Sequence, residues 1–388
     1  MLADNGFMIS GALFGAGGRV IVLVAICGLA QTGIGQDTSA GKSWSTTSEQ
    51  TDPNGVMNPT RTHTTHTEVD GRIVDKTITE TLGPDGRYVP YTEVEKESVR
   101  VNDTTMRNVE RSYARDADGR RTLMQETQEE SRKLPDGERR VTSTTSNPDG
   151  NGALQVVQRS IMDSKLVSPG VRNTKTAIES ADGSGGLSPT LQIEEKEKQT
   201  DATTVEFSKS TSFVDGNGRW TLSEVREGTT TKDAGGESTK DERVLRPNAD
   251  GKMAVVERTV SKSAPTGSGE QRETTETYST NVPGQAGDEG LKLVKRESTL
   301  RRSGAGADRS MTRQVEQTNP GDPAAGLQVT QETIDIVRTG ANGVTQQQST
   351  IVTTDANGSM NTVWVDMGKS DKPAAVPVNN TPAKKSKQ

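Results

Sequence analysis

The stretch NADGKMAVVERTV, residues 248–260, joins a turn to the start of a strand. Asn248, Asp250 and Gly251 are residue types that close tight turns. Asx side chains bond the local backbone, and glycine supplies positive φ without a Cβ clash. Met253 and Val255 then stand two apart, the spacing of one face of a strand. Glu257 and Arg258 begin a solvated continuation. The same Asx and Gly residues also suit a calcium loop, so the wider pattern has to decide.

The pattern recurs. Glycines stand at Gly86, Gly119, Gly152, Gly185, Gly218 and Gly251, each 33 residues after the last. Gly290, Gly326 and Gly358 continue the series at 39, 36 and 32. Two residues after a glycine come Tyr88, Leu154, Trp220, Met253 and Met360; four after come Leu123, Val156, Leu222 and Val255. The unit after Gly185 departs, with Leu191 and Ile193 arriving later. Near the middle of the units lies a second turn, as in LPDG (134–137), VSPG (167–170) and DAGG (233–236). Each unit therefore reads strand, turn, strand, turn. Self-similarity at a fixed period marks an array built by stacking one unit.

The expected fold is all-β: a repetitive antiparallel β-meander, a single-layer or twisted extended sheet of two-strand units. It should contain roughly eighteen strands of about a dozen residues, long against a usual ~5–6. Hairpin-like turns favour this over the alternative, a β-solenoid. The apolar positions predict a narrow stripe near one end of each first strand rather than a thick core. Elsewhere, Thr–Thr and Glu–Lys or Glu–Arg pairs across strands should hold the sheet. An outer-membrane barrel fits export and long strands. It fails on residues such as QRETTETYST (271–280), which offer no apolar residue at every second position.

Composition sets the limits. Hydrophobic residues make up 29% and aromatics 3%, against roughly 45–50% apolar in ordinary domains. The net charge of −6 comes from mixed, unblocked charges. No basic stripe with interleaved aromatics supports nucleic-acid binding.

Residues 1–35 read as a signal peptide. Val20–Ala30 is an eleven-residue apolar run behind Arg19, followed by small residues. It is shorter than the ~20 residues that span a bilayer, so no membrane span is expected after its removal. Cleavage after Ala30 and after Gly35 both fit. Removal would take Cys27, the only cysteine, and leave a cysteine-free mature chain. Residues 36–67, rich in Ser and Thr, are expected to be loosely ordered. Residues 68–368 form the β-repeat array, and 369–388 a flexible tail ending in a basic cluster.

Chemistry-bearing constellations are sparse, and no catalytic, cofactor-binding or metal-binding residue is assigned. The turns DADG (116–119), DGNG (215–218), NADG (248–251) and DANG (355–358) offer oxygen ligands. None has the acid spacing of an EF-hand loop; Arg246 stands where the loop before Gly251 needs its first acid. Hairpin turns explain them better. His63 and His66 are the only histidines, and on a strand they would point to opposite faces. The carboxylate pairs Glu129/Glu130 and Glu194/Glu195 sit where solvated strand faces are expected.

The function expected is that of an exported, non-enzymatic β-repeat protein. Its role would be structural or spacing, at the cell surface, periplasm or matrix of a bacterium. The alternative is a protein- or glycan-binding module using the stripe Leu154, Val156, Trp220, Leu222, Met253 and Val255. A secreted hydrolase is a third reading, with only the export signal behind it. The partner expected is a protein or polysaccharide, with no cofactor. Exposed edge strands at the ends of the array would permit self-association.

Overall fold

The computed structural model describes residues 42–50, 60–69, 71–116, 118–267, 269–281, 290–304, 308–319, 326–339, 345–355 and 358–370. The signal-like run and the tail beyond residue 370 lie outside the described residues. Twenty strands alternate with turns. The first ten are β1 (Lys42–Gln50), β2 (Thr60–Val69), β3 (Arg72–Leu82), β4 (Tyr88–Arg100), β5 (Thr105–Arg115), β6 (Arg121–Lys133), β7 (Arg139–Pro148), β8 (Leu154–Ser168), β9 (Val171–Ala181) and β10 (Leu187–Gln199). The rest are β11 (Thr204–Val214), β12 (Trp220–Lys232), β13 (Ser238–Pro247), β14 (Met253–Gly267), β15 (Glu270–Ser279), β16 (Lys292–Ser303), β17 (Arg309–Thr318), β18 (Leu327–Thr339), β19 (Thr345–Thr354) and β20 (Met360–Ser370).

Every strand pairs antiparallel with the next in sequence, within one sheet. The antiparallel meander is therefore the fold, and the parallel stacking of a solenoid is not. β1 and most of β2 fall within residues 36–67. The Thr-rich run of β2 is β-branched at alternate positions, and its Thr64 hydroxyl meets that of Thr77 across the strand pair at 3.1 Å. The meander also lacks two free ends. β1 pairs with β20 from Thr47↔Met367 to Gln50↔Trp364, as well as with β2.

The repeated glycines all take the conformation their position needs. Gly86, Gly119, Gly152, Gly185, Gly218 and Gly251 have φ between 74° and 89°. In five of these six turns an Asx side chain three residues before the glycine caps the turn; before Gly86 that place is taken by Gly83. Asn248 Oδ1 accepts the amides of Asp250 (3.0 Å) and Lys252 (2.9 Å). Asp116 and Asp215 do the same in their own turns. This is a three-residue hairpin loop whose last residue is left-handed. The mid-unit turn LPDG closes as a single 3-10 turn at Pro135–Gly137.

A second periodic device accompanies the turns. In the first strand of each unit one residue near the glycine turn has no partner opposite. The residues are Tyr91, Met124, Val157, Thr190, Ser223 and Val256, again 33 apart. Val294, Thr330 and Val363 follow. Such a β-bulge bends the strand and shifts its facing by one residue. Where the bulged residue is serine or threonine, its hydroxyl bonds across the pair. Ser223 Oγ donates to the Thr211 carbonyl at 2.9 Å, and Thr190 Oγ1 to that of Ile178 at 3.2 Å.

The sheet is one layer thick. Among the described residues, Val244 and Val315 are the buried hydrophobics. Ion pairs and hydroxyl pairs cover the rest. Arg140 grips Asp163 with two hydrogen bonds of 2.6 and 3.0 Å, and Arg258 grips Asp241 with two of 2.9 and 2.6 Å. These bridges join adjacent strands along the array.

Candidate functional site

Residues directly opposite in an antiparallel pair share a face, so the register sorts side chains into two faces. Leu154 and Val156 lie opposite Pro148 and Ser146. Trp220 and Leu222 lie opposite Val214 and Ser212. Met253 and Val255 lie opposite Pro247 and Leu245. Followed strand by strand, Ile161 faces Ala177, then Gln192, Ser212 and Leu222. Val225, Leu245 and Val255 continue the line on the same face. All six residues of the predicted stripe thus share one face, beside the glycine turns. They are not packed away: Leu154 is 42% exposed, Trp220 47% and Leu222 38%.

The same face carries a cluster that the sequence did not reveal. Glu93 on β4 is fully buried, with 0% exposure. Arg115 on β5 donates from Nε to its Oε2 at 2.8 Å and contacts it again through Nη2. Its Oε1 lacks a well-angled donor. That atom lies 3.2 Å from Lys76 Nζ on β3 and 3.2 Å from Arg121 Nη1 on β6. Arg121 also stacks 3.8 Å from the centre of the Tyr113 ring. Residues from three strands therefore converge on a carboxylate of a fourth. Burial pushes Glu93 up, but the hydrogen bonds of Arg115 and Lys76 outweigh it and hold the carboxyl below its usual range. A carboxylate so held carries no proton to donate at neutral pH. The three cations around it lower its basicity, so it is a poor base as well. The cluster suits a structural tie across strands.

The other singled-out residues disperse. His63 lies 3.4 Å from Glu80, while His66 bonds Asp75 at 2.5 Å. They point to opposite faces, as their strand spacing predicts. Glu129 accepts from Asn108 Nδ2 at 3.2 Å; its neighbour Glu130 turns to the other face and meets Arg107 and Arg132. Glu194 pairs with Lys175 at 3.3 Å and Glu195 with Lys209 at 2.7 Å, again across two faces. Neither couple can work as an acid and a base on one substrate. In the Asx turns the Oδ1 atoms are occupied by backbone amides, as hairpin turns require. A depression of 660 Å³ over β7–β11 is open and lined by charged side chains such as Arg140, Asp163 and Lys196. It is unlike the enclosed, mostly apolar pockets that hold small molecules.

On β15 neither face offers the apolar band of a lipid-facing barrel: one carries Glu270, Arg272, Thr274 and Glu276, and the other Gln271, Glu273, Thr275 and Thr277. Among the described residues no helix is long and apolar enough to cross a membrane.

No protein-family model matches the chain, and no curated protein does. Solved structures match loosely. A bacterial polysaccharide outer membrane secretin is 7% identical, with 85% of this chain and 97% of that chain covered and a TM-score of 0.30. Pseudomonas aeruginosa OpdL is 10% identical, with 86% and 96% covered and a TM-score of 0.36. A mutant of Rh. blastica porin is 10% identical, with 86% and 100% covered and a TM-score of 0.32. Superpositions this loose bear on neither fold nor function.

Proposed function

We propose that the chain is an exported, non-enzymatic β-repeat protein with a structural or spacing role in a bacterial envelope or matrix. The observation that carries this reading is how the polar groups are used. Unit after unit, Asx oxygens cap turns and carboxylates tie Arg and Lys across strands. The N-terminal apolar run supports export. Cell fractionation with an antibody to the array tests it. The protein should track with periplasm, envelope or matrix, cut at or before Gly35. A soluble cytoplasmic protein retaining residues 20–30 would overturn it.

A second reading gains from one specific finding, the one-sided and exposed stripe. A surface that repeats an apolar foothold on alternate strands suits a binding module for a protein or glycan. Titrating envelope polysaccharide while following tryptophan fluorescence tests it. A saturable shift lost in Trp220→Ala supports binding; an unchanged spectrum removes it.

A further inference from the structure

The strand pairings are uneven at one place. Within the meander from β2 to β20, neighbours share eight to eleven registered residue pairs. β1 shares seven with β2 and four with β20. Four of the nine residues of β1 thus have a registered partner on its β20 side. Ladder hydrogen bonds scale with paired residues, so this junction is held by about half the bonds of any other, or fewer. β1 also lacks the usual protections of an exposed edge. It has no proline, its pairings show no bulge, and Lys42 and Glu49 are its charges in the run KSWSTTSEQ.

We propose that β1 is an exchangeable strand: it leaves its place between β2 and β20 and takes the same place in a second copy of this chain. The occupant follows from the register. A departing β1 exposes the edges of β2 and β20, and the segment already known to fit both is another β1. Each pairing lost in one copy is regained in the other, so only the entropy of association opposes exchange, and concentration drives it. One exchange per copy gives closed dimers; successive exchange gives chains of molecules. Either outcome suits a protein that builds extended structure, although exchange does not depend on the proposed role.

Cysteine cross-linking of the full chain tests this, in a Cys27→Ser background that leaves no other thiol. Thr47 and Met367 lie directly opposite at the junction. Equal amounts of a Thr47→Cys chain and a Met367→Cys chain are mixed, incubated and oxidised. A covalent 47–367 heterodimer is expected, rising with protein concentration and exceeding either homodimer several-fold. A chain carrying both substitutions, oxidised when dilute, should lock within itself and lose any larger species. Locking of the double variant with no heterodimer in the mixture would overturn exchange. Absence of the 47–367 bond in both preparations would overturn the junction, and exchange with it.

Discussion

Arg115 lies across the strand pair from Glu93 and donates to its carboxylate at 2.8 Å, although Glu93 has no exposed surface. A sheet one layer thick has no interior in which to bury an acid. The burial here is made by charged neighbours: Lys76, Arg115 and Arg121 close over the carboxylate. Removing the charge from Glu93 leaves three cations facing one another. Breaking a buried pair from one side costs about 3–5 kcal/mol; the half-exposed Lys76 and Arg121 recover some hydration, so about 2–3 kcal/mol is expected. Urea unfolding of Glu93→Gln should show that loss, while Glu129→Gln stays within about 0.5 kcal/mol.

Acid should weaken the array. Glu93, Glu126, Glu242 and Glu297 all titrate below the ordinary carboxylate value. Burial raises each, and hydrogen bonds outweigh it: Arg115 and Lys76 for Glu93, Gln128 and Arg111 for Glu126, Lys240 and Arg226 for Glu242, Lys295 and Arg313 for Glu297. Asp182, bonded by the Ser184 hydroxyl and amide, falls to about 2. A carboxyl lowered by folding stabilises above its unfolded value of ~4.3 and loses that stability as pH falls through the folded value. The melting temperature should hold from pH 7 to about 5 and fall steadily below ~4. A melt that is flat down to pH 3 would contradict the ladder.

Two glycines should fail for different reasons. At Gly228 a Cβ would lie 2.0 Å from the Asp241 carbonyl oxygen on β13, so the strands must part. At Gly251 nothing lies within 4 Å, but φ is +74°. Gly251→Ala should cost about 1–2 kcal/mol, the left-handed penalty alone. Gly228→Ala should cost about 1–3 kcal/mol and loosen the ladder itself. Hydrogen exchange distinguishes them: faster exchange along β12 and β13 for Gly228→Ala, and at the turn alone for Gly251→Ala.

The turns and alternation made the meander legible. Gly251 fixes a left-handed corner, and Met253 with Val255 names a strand face. The bulges escaped notice, although they left a trace. Val156–Val157 and Val255–Val256 are apolar doublets where strict alternation forbids them, each with the bulged residue second. The Glu93 cluster left no such trace. Its members come from four strands, and only the registers, shifted by bulges at Tyr91 and Met124, bring them together. The pairing of β1 with β20 was equally hidden, because it joins residues more than 300 positions apart and depends on how twenty strands turn. In β2 composition and strand chemistry point different ways: threonine and serine are common in loose chain, yet threonine is β-branched and pairs across strands, as Thr64 does with Thr77.

Hydrogen-bonded and ionic ladders, rather than an apolar core, hold this array. The heat capacity change of unfolding tests this most directly, because exposing apolar surface raises that quantity and exposing polar surface lowers it. Scanning calorimetry of the purified protein, across several pH values, should give a value per residue well below the usual ~12–15 cal/mol/K, about half of it. A value at or above that range would mean that a hydrophobic core forms, and would contradict a single-layer sheet.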